Sequence, residues 1–312
     1  MRKRSDINRP NSSPQTGILP FMRVPSNCQR NINLLTFDPD GDHVQCRNAS
    51  DPNKYECYIC TAPSVLSLSS SCSLSFSPTS SSNEGSYAVQ LMMEDFPRQT
   101  INLTRYDGAT SSWSPSSYMS QISVQFVFKV DPAAPSCTAG EYLPRFLPPT
   151  PEHGAQFFID VNEMIEINIR AEATQSEITE LLFSGPFSMT KSSSGSGNFT
   201  LRWTPSFSQN HDNETHPICF TVQANASSSV YQSELRCVLV RVGNIPSIAT
   251  PSPPPKTSRL TVVKLKISTT LPLKDKDEIE KAIKGKLVAG KLPADIKVRL
   301  LRVGPANKTA AP

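Results

Sequence analysis

The sequence has little of what catalysis usually requires. Its 312 residues include only four histidines, and none of them lies in a Ser/His/Asp or metal-binding spacing. It also contains neither a nucleophile elbow nor a glycine-rich phosphate loop. We therefore expect no catalytic residues, and a protein that works by binding rather than as an enzyme.

Long apolar runs are missing as well. No stretch is long enough to cross a membrane, and residues 1–6 lead into a polar segment without the apolar run of a signal peptide. We expect that the chain is a fragment, incomplete at both ends, or that its gene model starts in the wrong place. Any membrane attachment would then be made through a region outside this chain. A cytosolic protein is the alternative.

Charged residues are scarce, at 19%, whereas prolines number 28 and Ser and Thr are abundant. This composition is typical of short strands joined by many turns. Residues 256–304 hold thirteen Lys or Arg against five Asp or Glu, a formal +8, which leaves −4 for the rest of a chain whose total is +4. A basic segment of this kind suits acidic glycans or lipid headgroups, with an ordinary solvated surface as the alternative; we expect no nucleic acid partner.

The cysteines and sequons that the sequence does contain point to the secretory pathway. Its eight cysteines are scattered among alternating apolar segments and do not form paired metal-ligand motifs, which favours disulfides. Seven Asn-x-Ser/Thr sequons begin at Asn11, Asn48, Asn102, Asn198, Asn213, Asn225 and Asn307. Together they predict an extracellular or cell-surface glycoprotein.

The apolar pattern predicts an all-β fold of two tandem sandwich domains followed by a small βαβ unit. Residues 122–130 alternate apolar and polar positions, as do residues 165–170 and 199–203, and this period of two indicates half-buried antiparallel strands. The expected order is a disordered segment 1–20, domain one 21–131, domain two 132–245, a Pro-rich linker 246–258, the βαβ unit 259–304 and a tail 305–312.

One disulfide follows from strand geometry. Cys219 and Cys237 lie on two strands separated by a turn at residues 225–229, so that a hairpin brings them together. If Ile218 and Val238 face the core, both sulfurs lie on the opposite, outer face. We predict a cross-strand disulfide within the hairpin and not the inter-sheet bridge of antibody domains.

The other six cysteines stay unpaired by this argument: Cys28, Cys46, Cys57, Cys60, Cys72 and Cys137. Five of them fall in the first domain, an odd number. Either Cys137 crosses the domain boundary, or two thiols stay free, or one partner lies outside this chain. A redox or zinc role for the pair at residues 57 and 60 has little support, because no βαβ pattern and no second ligand pair accompany it.

Four short stretches carry a family resemblance. Residues 37–44 form the acidic turn Phe-Asp-Pro-Asp-Gly-Asp-His-Val, and residues 85–91 form a Gly-x-Tyr-x-Val strand that leads to an acidic end at residues 94 and 95. Residues 197–205 and 218–224 supply similar strands in the second domain. The chain thus resembles the cadherin-like and immunoglobulin-like repeats of extracellular proteins. The resemblance implies adhesion or recognition, without naming a ligand.

The acidic turn also suggests a cation site. Asp38, Asp40 and Asp42 alternate and, together with Asp95, would present several oxygens to Ca²⁺, although the glycine is misplaced for an EF-hand loop. The alternative is a plain turn in which the aspartates bond their own backbone. We expect no cofactor apart from this candidate calcium.

Two functions from different classes remain. The first is a binding module for adhesion or recognition, with an unidentified extracellular protein or glycan as its partner. The second is a structural spacer in a secreted matrix or mucus-like protein. Trp113, in a Ser-rich segment, is a candidate anchor for a partner or a sugar, with partial burial as the alternative.

Overall fold

A computed structural model describes residues 2–58, 60–206 and 214–243, together with Glu280, Lys281, Lys284 and Gly285. The chain divides into two compact units, Met1–Ala249 and Thr250–Pro312. The expected linker, βαβ unit and tail lie outside the described residues, except that the four residues at 280–285 named above are helical. Among all described residues, no helix is long and apolar enough to cross a membrane.

The first domain consists of short strands and two 3-10 turns, at Pro52–Lys54 and Ser81–Asn83. The strands are β1 Arg2–Arg4, β2 Gln15–Thr16, β3 Phe21–Pro25, β4 Arg30–Asn33, β5 Thr36–Phe37, β6 His43–Asn48, β7 Leu66–Leu68, β8 Ser73–Phe76, β9 Gly85–Phe96, β10 Ile101–Arg105, β11 Thr110–Trp113 and β12 Ser120–Asp131.

Two sheets of the first domain enclose its core. One has the order β3-β12-β9-β6 and the other the order β4-β8-β7. The alternation of β12 places Phe126, Phe128 and Val130 inside, and the ring of Phe128 contacts that of Phe76 from the other sheet at a centroid distance of 5.6 Å. In the sheet β3-β12-β9-β6, the strand that comes first in the sequence, β3, runs parallel to the one that comes last, β12.

The second domain repeats this plan. Its strands are β13 Arg145–Leu147, β14 Gln156–Ile159, β15 Ile165–Glu172, β16 Glu177–Ser184, β17 Thr190–Gly195, β18 Asn198–Trp203, β19 Thr215–Ala226, β20 Ser229–Gln232 and β21 Arg236–Val242. One sheet has the order β13-β15-β18-β17 and the other β14-β21-β19-β16, with β14 parallel to β21. This is the strand order of an immunoglobulin-like sandwich, so the predicted all-β tandem is confirmed.

The N-terminal segment differs from the prediction of disorder for residues 1–20. Strand β1 pairs antiparallel with β10, in the register Arg2 with Arg105, and extends the β10–β11 hairpin to three strands. Strand β2 pairs with β5, and Arg4 is only 2% exposed. The polar composition was misleading because the groups that order this segment lie outside it, from Thr36 and Asp42 to strand β10, about 100 residues away.

The outer face of the second domain's β19–β21 hairpin is buried by the first domain. Cys219 pairs with Cys237 in register and forms a disulfide with it, and both residues are fully buried. They pack in the core cluster of the first domain, whereas Ile218 and Val238 pack in that of the second. The two cysteine side chains therefore point away from the core of the second domain, as predicted. The face on which they lie was expected to be exposed, but the first domain covers it.

A buried glutamine joins the two domains by hydrogen bonds. Gln232 is 1% exposed, and its Oε1 accepts the backbone N–H of Arg23 at 2.9 Å. Its backbone oxygen accepts a hydrogen bond from the guanidinium of Arg30 at 2.9 Å, while its Nε2 donates to Thr221 Oγ1 at 3.1 Å. Because a buried polar group without partners costs about 1–3 kcal/mol, this set of bonds favours one relative position of the two domains.

The connection between the domains is also tied to the first domain. Cys28 forms a disulfide with Cys137, 109 residues later. Asn27 accepts the backbone N–H of Ala134 at 2.9 Å and donates to its oxygen at 2.8 Å. The chain between the sandwiches is therefore held at several points.

The two domains approach each other closely at Gly17, which predicts that this position is sensitive to substitution. A Cβ at residue 17 would lie 2.7 Å from Cys219 Sγ, which is closer than real atoms pack. Gly17→Ala should lower the free energy of unfolding by about 1–3 kcal/mol, measured by urea denaturation. In Gly185→Ala the new methyl meets the flexible Met189 side chain at 3.1 Å, so the loss should be smaller. Equal losses in the two variants would contradict the tight junction.

Candidate functional site

The structure brings together three of the four predicted calcium ligands. Carboxylate oxygens of Asp38, Asp40 and Asp42 lie within 4.8 Å of one another. Asp38 Oδ1 also accepts the backbone N–H of Asp40 at 2.8 Å and that of Asp42 at 3.1 Å, and Gly41 has a φ of +80°. The backbone bonds of a plain acidic turn are thus formed.

A buried arginine supplies positive charge to this acidic cluster. The guanidinium of Arg4 donates to both carboxylate oxygens of Asp42, to both of Asp6 and to Asn11 Oδ1, and its Nη1 lies 3.6 Å from Asp40 Oδ2. Strand pairing of β1 with β10 fixes the backbone that carries it. A Ca²⁺ ion shared by Asp40 and Asp42 would therefore compete with Arg4 for the same oxygens.

Asp95 joins the cluster through Asn11. Its Oδ1 accepts the N–H and the hydroxyl of Ser120 at 2.7 and 2.6 Å, and its Oδ2 accepts from Asn11 Nδ2 at 2.7 Å. Both oxygens of this fully buried side chain thus have donors. Asp95 connects strand β9 to β12 and to the N-terminal segment.

Asp38 is the least satisfied member of the cluster. Its Oδ2 is buried and accepts no hydrogen bond from the described residues. Burial raises the pKa of Asp38 to about 6, although the backbone N–H groups of Asp42 and Asp40 act in the opposite direction. At neutral pH the cluster therefore holds a carboxylate that would gain from a further positive charge or donor.

A second feature is a surface loop that presents two tyrosines, which we call the tyrosine loop (residues 50–58 and 60–62). Tyr55 and Tyr58 are 94% and 96% exposed. The loop begins with the turn Pro52–Lys54, capped by Asp51, whose Oδ1 accepts the N–H of Asn53 at 3.0 Å. Tyr55 follows in the left-handed region at φ 58°, which is rare for a bulky residue.

An ion pair and a disulfide hold the base of the tyrosine loop. Glu56, 2% exposed, accepts a bidentate pair of hydrogen bonds from Arg47 of β6 at 2.7 and 2.8 Å, and these bonds lower the pKa of Glu56 to about 2. Cys57 is bonded to Cys60 and packs against Ala49 and Met92. The tyrosines therefore project from a fixed base.

A groove of about 520 Å³ lies beside this loop. It is lined by Tyr58, Thr61, Ala62, Pro63, Ser64, Ser86, Tyr87, Ala88 and Gln90. None of these side chains is charged. The tyrosine loop was not predicted from the sequence, although aromatic residues beside two closely spaced cysteines were a signal that could have indicated it.

All eight cysteines are in disulfides. The remaining pair, Cys46 with Cys72, joins β6 to the turn before β8 and so links the two sheets of the first domain. Of the three alternatives for the odd cysteine, the structure has Cys137 crossing the domain boundary, through its bond to Cys28. Spacing in the sequence did not reveal these partners.

The predicted glycosylation sites differ in their surroundings. Asn48, Asn102, Asn198 and Asn225 are exposed, whereas Asn11 is part of the acidic cluster. Asn213 and Asn307 lie outside the described residues. Glycosylation at all seven positions stays a prediction.

Trp113 is half-buried at the end of β11, where its Nε1 donates to Ser111 Oγ at 3.2 Å.

No protein-family model matches the chain, and no curated protein matches it. Solved structures that align with it include the sialic acid binding region of a Streptococcus sanguinis SK1 adhesin, 12% identical, covering 75% of this chain and 78% of that one at a TM-score of 0.25. A titin tandem of Ig domains is 8% identical, covering 75% and 99%, at 0.22.

An endo-fucoidan hydrolase of glycoside hydrolase family 107 also aligns, at 14% identity and a TM-score of 0.24. It covers 74% of this chain, but the chain spans only 28% of the hydrolase. Likenesses this weak carry no argument about function, and the fold assignment rests on the strand order described above.

The buried position of Arg4 predicts a large effect of its removal. Arg4→Met should lower the free energy of unfolding by about 3–5 kcal/mol, because Asp42 and its neighbours would stay buried without their partner. Arg9→Met is the matched control: Arg9 pairs with Asp40 at 2.8 Å but is 54% exposed, so the loss should stay below about 1 kcal/mol.

Calcium can be tested in the same variants. If the acidic cluster holds Ca²⁺ when Arg4 is absent, millimolar Ca²⁺ should raise the melting temperature of Arg4→Met and leave that of the unaltered chain almost unchanged. If the melting temperature of neither protein shifts, the acidic cluster does not bind calcium. A large shift in the unaltered chain would show that Arg4 does not compete.

Asp38 predicts a pH dependence of stability. Its folded pKa of about 6 lies above the ordinary value of 3.8, so the folded state binds more protons between these pH values and ionisation of Asp38 opposes folding as the pH rises. Asp38→Asn should therefore raise the melting temperature at pH 7 and have little effect at pH 3.5, measured by thermal denaturation. A gain that is larger at the acidic pH would contradict the shift.

Proposed function

We propose that this chain is a non-enzymatic extracellular binding module for adhesion or recognition. The observation that carries the proposal is the tyrosine loop: two almost fully exposed aromatic side chains project from a base fixed by an ion pair and a disulfide. Contact of an aromatic ring with water is unfavourable in free energy, and a partner that covers the ring removes this contact. Tyrosine is also enriched among the residues that dominate binding energy at interfaces.

The fixed base supports binding for an entropic reason. A loop that is already ordered loses less conformational freedom when a partner binds, so more of the contact energy appears as affinity. The hydrogen bonds that Arg47 donates to Glu56 and the disulfide between Cys57 and Cys60 provide this order close to the tyrosines themselves.

Cysteine usage supports the extracellular location. Four disulfides and no free thiol fit an oxidising compartment and would be unusual in a reducing one. The partner we propose is an extracellular protein or glycan. Membrane association, glycosylation and calcium binding belong to the same proposal.

A structural spacer is the second candidate, and the domain junction favours it. The fully buried Gln232 and the Cys28–Cys137 bond hold the two sandwiches in one arrangement, which is what a stiff spacer needs. Rigidity alone does not account for the exposed tyrosines, however. We therefore rank the binding module first.

Binding of a multivalent probe to cells tests the proposed function. The chain, secreted from eukaryotic cells and assembled into tetramers, should stain a subset of cell types, because multivalency raises a weak affinity to a detectable one. Tetramers of Tyr55→Ala/Tyr58→Ala should lose most of the staining, and those of Tyr106→Ala, 88% exposed on the β10–β11 hairpin, should retain it. Absence of staining on every cell type would favour the spacer.

A further inference from the structure

We propose that the groove beside the tyrosine loop is a binding site for a neutral saccharide. This inference rests on the proposed binding function and gives it a site and a class of ligand. Its basis is a concave surface that combines an exposed aromatic ring with uncharged hydroxyl and amide groups.

The apolar part of the groove suits the face of a sugar ring. Tyr58 forms one wall with a ring that is 96% exposed, and Ala62, Pro63 and Ala88 add carbon surface around it. One face of a pyranose ring presents mostly C–H groups, which pack against an aromatic ring and release water from both surfaces. A flat, exposed tyrosine at the edge of a groove allows this stacking.

The polar part of the groove suits sugar hydroxyls. Thr61, Ser64 and Ser86 supply hydroxyl groups, each able to donate and accept, and Gln90 supplies an amide. Ser86 and Gln90 lie on strand β9, and Tyr87 between them donates its hydroxyl to the backbone oxygen of Asn83 at 2.7 Å. The hydroxyl-bearing strand is therefore held by its own packing, as a specific site requires.

Charge selects among possible ligands. The nine lining side chains carry neither a cation nor an anion. The cations on neighbouring positions are already paired: Arg47 with Glu56 and Glu94, and Lys129, which lies opposite Ser86 in the strand register, with Asp131 at 3.1 Å. A sulfated, phosphorylated or sialylated ligand would thus lose hydration without gaining an ion pair. A neutral saccharide needs no ion pair in its binding site.

The size of the groove agrees with a small ligand. About 520 Å³ lies within the range of 300–1,000 Å³ typical of small-molecule sites. A protein partner would instead use the two tyrosines as projecting anchors and would not need the hydroxyl-lined surface behind them. The observations therefore favour a sugar, and a protein partner becomes an outcome of the test.

The test uses the full chain and a panel of simple probes. Saturation-transfer difference NMR with the methyl glycosides of mannose, galactose, glucose and N-acetylglucosamine should give transfer for at least one of them. The methyl glycoside of sialic acid, the charged probe of the panel, should give none. A competition titration of that glycoside should then show affinity about tenfold weaker in Tyr58→Ala. Ala88→Lys, which places a long charged side chain on an exposed position of the groove, should abolish transfer without disturbing the core.

Two controls separate the groove from other surfaces. Tyr106→Ala removes an equally exposed tyrosine elsewhere and should leave binding unchanged. In Cys57→Ser/Cys60→Ser the loop loses the disulfide that holds its base, so binding should weaken at temperatures well below the melting transition, where circular dichroism still shows a folded chain. Unchanged binding in both Tyr58→Ala and Ala88→Lys would place the sugar elsewhere and overturn the proposal.

The outcomes also distinguish this proposal from the proposed function. If no glycoside binds, or only the methyl glycoside of sialic acid binds, the saccharide proposal is wrong. Tetramer staining that depends on Tyr58 and is removed by protease treatment of the cells, but not by glycosidases, would then show that the binding function stands with a protein partner. Loss of both signals would overturn the two together.

Discussion

Burial of the β19–β21 hairpin on both faces is the constraint on which the described structure depends. One face fills the core of the second sandwich, and the other, with the Cys219–Cys237 bond at its centre, packs into the cluster of the first. The core of the first domain is therefore incomplete without the second, which contributes Cys219, Tyr231, Leu235 and Cys237 to it. Gly17 and Gln232 are the two positions where this arrangement tolerates little change, the first because of the close approach to a sulfur and the second because of its buried hydrogen bonds.

The contact between the two domains gives the proposed binding loop a rigid support. Because the first domain is fixed by the second through apolar packing, hydrogen bonds and the Cys28–Cys137 bond, its loops project from a rigid body. The tyrosine loop repeats the principle on a smaller scale, with Glu56 and the Cys57–Cys60 bond fixing its base. The acidic cluster does so with Arg4, which ties the N-terminal strand to the turn at residues 38–42. Order is imposed at each level before any partner binds, and this lowers the entropic cost of recognition.

The periodicity of the sequence was sufficient to predict the fold class, but it was not sufficient to predict the contact between the two domains. Alternation in β12, β15 and β18 revealed half-buried strands, because a period of two is a local property. It placed Cys219 and Cys237 opposite the core correctly. That their face is buried depends on Gly17, about 200 residues away, although the apolar run at residues 237–240 was a signal of burial on both faces. The acidic turn was found for the same local reason, while its arginine partner lay in a segment whose composition predicted disorder.

Scanning calorimetry of the unit Met1–Ala249 tests the central claim most directly, because the claim concerns cooperativity between the two sandwiches. If the second sandwich completes the core of the first, the unit should unfold in one transition, with equal calorimetric and van't Hoff enthalpies. Two separated transitions, each with the enthalpy expected for about 110 residues, would show that the domains fold independently and would contradict the account.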